Sequence, residues 1–208
     1  GGGVSRGHLV WRALRASVTD GRSLKRWMQV VCELNARGMV ADVPGAYLRA
    51  VRPYVNRHTS YSERVLQLIE HVDWLETALK ADQLDRLLAG QPVVLAELPP
   101  PRGYDYMRLQ LESAPDQIAE GELLLTLTLQ RSADAGHQAV PVQAAALGFS
   151  RFRLDGMACM VVGGVRGQRD PVHRVSLIEM SQAMAGWKPS VLMVRAAQEM
   201  ASVWHLQL

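Results

Sequence analysis

The chain has 208 residues, of which 48% are hydrophobic and 21% are charged, and it contains two cysteines. This composition is typical of a globular protein with a sizeable core, and no stretch approaches the roughly 20 apolar residues that a membrane-spanning helix needs. Cys32 and Cys159 lie far apart, and no cysteine or histidine spacing typical of a metal site occurs. We therefore predict a cytoplasmic protein without a bound metal.

Positive charge is concentrated near the N-terminus. Residues 1–64 contain 11 Lys or Arg and 4 Asp or Glu, a net of +7, whereas residues 65–208 contain 12 and 16, a net of −4. Such an excess attracts nucleic acid or an anionic membrane surface, and it also occurs on helical surfaces that contact only solvent. The candidate basic surface comprises Arg6, Arg12, Arg15, Arg22 and Arg26.

The first 90 residues have the periodicity of amphipathic helices. Five are predicted: Val4–Ser17, Ser23–Arg37 with Asp20 as its cap, a short helix opened by Pro44, one from Ser60 or Ser62 to about Ala81, and Asp82–Gly90. His71 lies on the fourth helix and shares a face with Trp74. It is the candidate general base, although a lone histidine on a partly apolar helix is also typical of a hydrogen-bonded core residue. Glu70, on the same helix, is expected to face solvent.

From residue 91 the pattern changes to the alternation typical of strands. Five are predicted: Pro92–Leu98, Tyr104–Glu112, Gly121–Gln130, Val142–Leu154 and Met157–Val162. Asp155-Gly156 is a strong hairpin signal between the last two. The fold class is therefore α+β, with an N-terminal helical region at 4–90 and a mixed α/β domain at 91–208 whose mostly antiparallel sheet is flanked by helices.

Two more helices and the beginning of a strand are predicted at the C-terminus. The helices are Pro171–Ala185 and Ser190–Val203, and the strand begins within His205–Leu208. Because strands commonly have about five residues, we expect this last strand to be incomplete at the C-terminus or to be completed by a partner.

A glycine- and arginine-rich segment follows the fifth strand, and we predict a turn of these residues: Gly163, Gly164, Val165, Arg166, Gly167, Gln168 and Arg169. A turn that leads from a strand into a helix presents backbone N–H groups, and glycine lets a phosphate approach the chain. The two arginines add bidentate donors. The segment lacks the Walker A and dinucleotide-binding patterns. It is a candidate site for donor phosphates, or a tight turn with surface arginines.

Two stretches resemble the VirK/YbjX family of bacterial proteins. One is Ser62–Leu75, SERVLQLIEHVDWL, and the other is Met160–Leu206, which contains VVGGVRGQR, SQAMAGWKPSVLM and ASVWHL. Val165-Arg166 stands where Leu-Gln is usual in that family, and Val72 stands where a tyrosine is usual. The resemblance implies a bacterial protein linked to virulence, envelope stress and resistance to cationic peptides, without a settled biochemical activity.

The predicted order of elements is also similar, at the level of fold, to the GNAT acyltransferases, in which such a turn holds the diphosphate of an acyl donor. This resemblance implies an acyl- or aminoacyl-transferase, with a coenzyme A thioester or aminoacyl-tRNA bound at 163–169 and His71 as the base. The alternative is a non-enzymatic protein of the VirK/YbjX type, an adaptor or a protein held peripherally at the inner membrane by its basic surface. The sequence leaves the choice between enzyme and binding protein, the acceptor and the oligomeric state open.

Overall fold

The computed structural model describes residues 6–38, 40, 43–51, 59–114, 121–131, 141–168 and 177–208. The helices in this part of the chain are α1 (Arg6–Thr19), α2 (Gly21–Ala36), α3 (Val43–Arg49), α4 (Tyr61–Ala78), α5 (Ala81–Leu88), α6 (Leu177–Ala183) and α7 (Pro189–Val203). The strands are β1 (Val93–Leu98), β2 (Tyr104–Ser113), β3 (Leu123–Arg131), β4 (Pro141–Leu154) and β5 (Met157–Gly167). The α+β class is confirmed.

The five strands form one antiparallel sheet in chain order, β1-β2-β3-β4-β5. The meander follows from the short connections that the sequence indicates. Asp155 and Gly156 join β4 to β5 with φ values of 48° and 81°. Two successive residues of positive φ are what a tight hairpin of this hand requires, so the predicted Asp-Gly hairpin is confirmed.

One face of the sheet carries the main hydrophobic core. Alternate leucines of β3 point to this face and pack with residues of α5, α6 and α7, among them Leu87, Met180 and Met193. The other face of β3 carries threonines, and it is buried too, since Thr126 is 1% exposed. The alternation of Leu and Thr predicted a half-buried strand; in the structure both faces of β3 are covered.

The N-terminal helices contain a second, smaller cluster, formed by Trp27, Val31, Ala50, Val65, Leu68 and Ile69. The Trp27 indole donates to the Ala46 carbonyl over 2.9 Å, which ties α2 to α3. Ser60 caps α4 in a capping box with Glu63, which settles the choice between Ser60 and Ser62. The division of the chain at residue 90 stays a prediction.

The end of the described chain touches the outer edge of β5. Gln207 forms a parallel bridge with Cys159, with hydrogen bonds from Met160 N to Gln207 O (2.6 Å) and from Gln207 N to Ala158 O (3.0 Å). This isolated bridge lies where a strand was predicted to begin within His205–Leu208, but no strand is formed among these residues.

Candidate functional site

A buried ion pair joins α4 to the sheet. Arg151 of β4 donates from Nη1 to Glu70 Oε2 over 2.6 Å, and only 10% of the arginine side chain and 25% of the glutamate side chain are exposed. Arg153 lies within 3.8 Å of the same carboxylate oxygen. Because a buried charge requires a partner, Arg151 and Glu70 depend on each other. The expectation that Glu70 faces solvent is therefore wrong.

His71 lies beside this pair and is 4% exposed. Its Nδ1 accepts from the backbone N–H of Arg151 at 3.4 Å, so the neutral ring carries its proton on Nε2, which has no hydrogen-bond partner in the described part of the chain. Burial, followed by the positive charges of Arg49 and Arg151, lowers the pKa of His71 to about 3. A weakly basic, enclosed imidazole is poorly suited to general base catalysis.

A second ion pair lies at the end of β3. Arg49 of α3 donates from Nη1 to Glu122 Oε2 over 2.8 Å and from Nη2 to the Ala114 carbonyl over 2.9 Å. The backbone N–H of Glu122 donates to Ser150 Oγ over 2.9 Å. We call Arg49, Glu70, His71, Glu122 and Arg151 the helix–sheet junction. Its ion pairs and hydrogen bonds connect α3 and α4 to the sheet.

An aromatic series extends the junction into the core. The His71 and Trp74 rings are 5.4 Å apart, and Trp74 meets Trp204 edge to face at 5.0 Å. Trp204 lies 6.3 Å from Phe149 on β4. The shared face of His71 and Trp74 that the helical spacing predicts is thus part of the packing between α4, the end of α7 and the sheet. This packing is typical of a structural histidine.

The segment predicted as a phosphate-binding turn is a strand in its described part. Gly163–Gly167 continue β5, with Gly164 opposite Gly148 and Arg166 opposite Ala146. The register shifts between Gly148 and Phe149, which places Gly163 as the extra residue of a β-bulge. Gln168 follows the strand, and Arg169 lies outside the described residues. The turn was predicted because glycines punctuate chains; here they accommodate a bulge within an edge strand.

The helix that was to follow this turn is also shorter where it is described. It was predicted from Pro171, whereas α6 spans Leu177–Ala183 and residues 171–176 lie outside the description. The donor-phosphate prediction rested on a strand that leads through a turn into a helix N-terminus. For residues 163–167 this geometry is wrong, because they are part of β5. The binding role of these residues stays a prediction.

The N-terminal helices carry the basic residues on an unusual surface. Arg15, Arg22 and Arg26 are exposed; Arg6 and Arg12 belong to α1, but their side chains lie outside the described part. The apolar residues of α1 that are described are exposed as well: Val10 51%, Trp11 57%, Leu14 62% and Val18 88%. The sequence predicts the amphipathic helix correctly, but its apolar stripe does not enter the core.

Within the described residues, no cluster of three or more His, Cys, Asp or Glu side chains could hold a metal ion. No helix among them combines the length and the apolar character needed to cross a bilayer.

The sequence matches DUF535, a family described as proteins of unknown function, over residues 5–208. Because the match covers nearly the whole chain, the chain belongs to the DUF535 family, which is the VirK/YbjX family that two of its segments resemble. Comparison with curated proteins gives no match, and neither does comparison with solved structures. The resemblance to GNAT acyltransferases is therefore not confirmed.

Proposed function

We propose that this chain is a peripheral membrane protein that binds anionic lipid surfaces through α1 and the basic residues that follow it. The observation that carries the proposal is the exposed apolar stripe of α1, which we define as Val10, Trp11, Leu14 and Val18. A contiguous apolar surface that stays exposed on a folded helix is typical of a binding surface.

The stripe has the shape that an interfacial helix needs. At 100° per residue, its members fall within an arc of about 100°, so they can enter a bilayer surface together while the helix lies parallel to it. The Arg15 guanidinium lies 5.9 Å from the centre of the Trp11 ring, at the flank of the stripe. A tryptophan beside an arginine suits the boundary between acyl chains and headgroups.

Charge favours an anionic surface in particular. Residues 6–38 contain seven Lys or Arg and two Asp or Glu, a net of +5. Each basic residue close to an anionic leaflet contributes about 1 kcal/mol, and the apolar stripe contributes burial independently of charge. Two signals of this kind together give stable but reversible attachment.

Nucleic acid is the rival partner of this surface. Arginines near an exposed tryptophan would also suit tRNA, but Val10, Leu14 and Val18 offer an RNA chain neither hydrogen bonds nor stacking. The transferase hypothesis, with a coenzyme A thioester or aminoacyl-tRNA as donor, stays a prediction. No contact of the described residues favours it over lipid binding, because His71 is enclosed and residues 163–167 are strand.

The proposal is tested by sedimenting the full chain with vesicles of phosphatidylcholine, with and without about a third of phosphatidylglycerol, at low and moderate salt. We expect binding to the anionic vesicles that weakens as salt screens the charges. Val18→Asp should reduce it by roughly tenfold or more, because a carboxylate would enter the apolar layer and repel the anionic lipids. Ile178→Asp is the matched control, since Ile178 of α6 is also highly exposed, at 71%, but lies outside the stripe.

Each competing hypothesis predicts a different result, with the vesicles or with tRNA or coenzyme A. Equal loss in Val18→Asp and Ile178→Asp would mean that added negative charge, and not the stripe, controls binding. Binding of bulk tRNA that persists in Val18→Asp, without vesicle binding, would replace the lipid proposal with an RNA one. A rise in melting temperature with coenzyme A, lost in Arg166→Ala, would favour the transferase.

A further inference from the structure

We propose that the helix–sheet junction binds a small oxyanion, either a carboxylate or a phosphoryl group, between α4 and β4. The anion would accept hydrogen bonds from His71 Nε2–H and Arg151 Nε–H, and a third hydrogen bond would involve the side-chain amide of Gln67. This site lies between the helices and the sheet and not on the apolar stripe of α1, so the inference does not depend on lipid binding.

Two buried N–H groups of the junction have no acceptor among the described residues. They are Nε2–H of His71, a residue that is 4% exposed, and Nε–H of Arg151, a residue that is 8% exposed. A buried donor without an acceptor is destabilising, and native proteins retain few of them unless a water or an ion completes the hydrogen bonds. Two such donors on neighbouring side chains therefore indicate a bound acceptor.

Contacts within the junction bring the two donors side by side. The backbone N–H of Arg151 donates to His71 Nδ1 over 3.4 Å, and Arg151 Nη1 donates to Glu70 Oε2 over 2.6 Å. Because Glu70 directly precedes His71 in α4, the guanidinium and the imidazole lie next to each other. These contacts occupy Nδ1 and Nη1, which leaves Nε2 and Nε for a ligand. Two N–H donors match two oxygens of a carboxylate or a phosphoryl group.

Charge favours an anion over a water molecule at this place. Glu70 Oε2 is shared by two guanidinium groups, since Arg153 Nε lies 3.8 Å from it in addition to Arg151. After burial, the positive charges of Arg49 and Arg151 have the largest effects on the pKa of His71, and both lower it. The ring is therefore neutral at neutral pH and donates from Nε2 without a charge, while the arginines attract the anion.

Gln67 adds a third polar group on the same face of α4. It lies four residues before His71, and its Oε1 is buried without a partner among the residues that the structure describes. Hydrogen phosphate could donate its O–H to this oxygen. A carboxylate has no proton to donate, so the amide would have to rotate and present its NH2 group. The arrangement therefore accepts both kinds of oxyanion, with a different orientation of the Gln67 amide for each.

The test titrates the full chain at neutral pH with sodium formate, sodium acetate and sodium phosphate, with sodium chloride to keep the ionic strength constant. The readout is the NMR signal of the His71 Nε2–H group. We expect a saturable shift of this signal with at least one oxyanion, together with slower exchange of its proton with water. Tighter binding of formate or acetate would identify a carboxylate site, and tighter binding of phosphate would identify a phosphoryl site.

Arg151→Lys separates the effect of the donor from that of the charge. A lysine can still pair with Glu70 but has no Nε–H group, so the affinity for the oxyanion should fall by roughly tenfold or more. Arg108→Lys is the matched control, because Arg108 pairs with Glu97 in a more exposed position, and it should leave the affinity unchanged.

The titration of the wild-type protein decides the proposal even if a variant does not fold. No saturable shift with formate, acetate or phosphate would overturn it, because water alone would then satisfy the two donors. An affinity that Arg151→Lys leaves unchanged, or that Arg108→Lys lowers equally, would overturn it too, because the anion would then bind elsewhere.

Discussion

The sheet and the first helix are both rich in apolar residues, but they place them in opposite surroundings. Leu123, Leu125, Leu127 and Leu129 of β3 are at most 1% exposed, whereas the stripe residues of α1 are at least 51% exposed. The β3 side chains contribute to folding through burial, while those of α1 contribute little to it. The free energy of burying the α1 stripe is therefore still available for binding. Substitutions in β3 should lower stability, whereas substitutions in the stripe should lower binding and leave stability nearly unchanged.

The largest effect on stability is expected at the centre of the sheet. Leu127→Ala removes a fully buried side chain from the main core and leaves a cavity, so the free energy of unfolding should fall by about 3 kcal/mol. Urea denaturation followed by circular dichroism measures this change. A loss below about 1 kcal/mol would mean that the sheet core is loosely packed, and it would weaken the contrast with α1.

The helix–sheet junction should give the next largest effect. Glu70→Gln leaves the Arg151 guanidinium buried without its carboxylate, which we expect to cost about 2 kcal/mol of stability, less than for a fully enclosed pair because Glu70 is partly exposed. Glu76→Gln is the matched control on the same helix. Its pair with Arg37 is at the surface, so that change should cost at most about 0.5 kcal/mol. Equal effects of the two changes would contradict the account of the junction.

His71 should make the stability of the protein depend on pH. Its pKa is about 3 in the folded protein and 6.5 in a model peptide, so between these values the unfolded chain binds a proton that the folded chain does not. Stability should therefore decrease as the pH falls from 6.5 towards 3. The slope from this group should approach about 1.4 kcal/mol per pH unit, which is the value for one proton taken up on unfolding.

The contribution of His71 can be isolated by substitution. His71→Gln should reduce the dependence of stability on pH between about 4 and 6.5. Chemical denaturation at a series of pH values, with and without the substitution, gives both curves. An unchanged slope in His71→Gln would show that His71 is protonated or solvated in the folded state.

Periodicity and turn residues were sufficient to predict most of the fold. The Asp155-Gly156 hairpin, the Asp20 cap and the order of the strands are local features, and each was predicted from residues close in sequence, whereas the cap of α4 was left open between Ser60 and Ser62. The wrong prediction of a turn at residues 163–167 also has a local cause. Glycines at 163 and 164 suggest a turn, and only the pairing partners on β4 show that they form a bulged strand.

The junction could not be predicted, because its members are distant in sequence. Glu70 and Arg151 are 81 residues apart, and Arg49 and Glu122 are 73 apart. A single sequence indicates that each residue is charged, but not which charge it meets inside the fold. The exposure of the α1 stripe could not be predicted for a similar reason. Helical spacing reveals an apolar face but cannot tell whether the rest of the chain covers it.

The smallest effect on stability is expected in α1. Val18→Asp should change the free energy of unfolding by at most about 0.5 kcal/mol, because Val18 is 88% exposed and leaves no cavity. Urea denaturation under the conditions used for Leu127→Ala makes the two values comparable. A loss of more than about 2 kcal/mol would indicate that the stripe packs in the folded protein, and the surface proposed for lipid binding would not be free.

The most direct test of the central claim is the quenching of tryptophan fluorescence by brominated lipids in anionic vesicles. Trp11 is 57% exposed on the stripe, and Trp187, between α6 and α7, is 42% exposed. If α1 enters the bilayer surface, bromine should quench the bound protein, and Trp11→Phe should remove most of this quenching while Trp187→Phe leaves it unchanged. Quenching that persists in Trp11→Phe and disappears in Trp187→Phe would show that another part of the protein meets the membrane, and it would contradict the proposed role of α1.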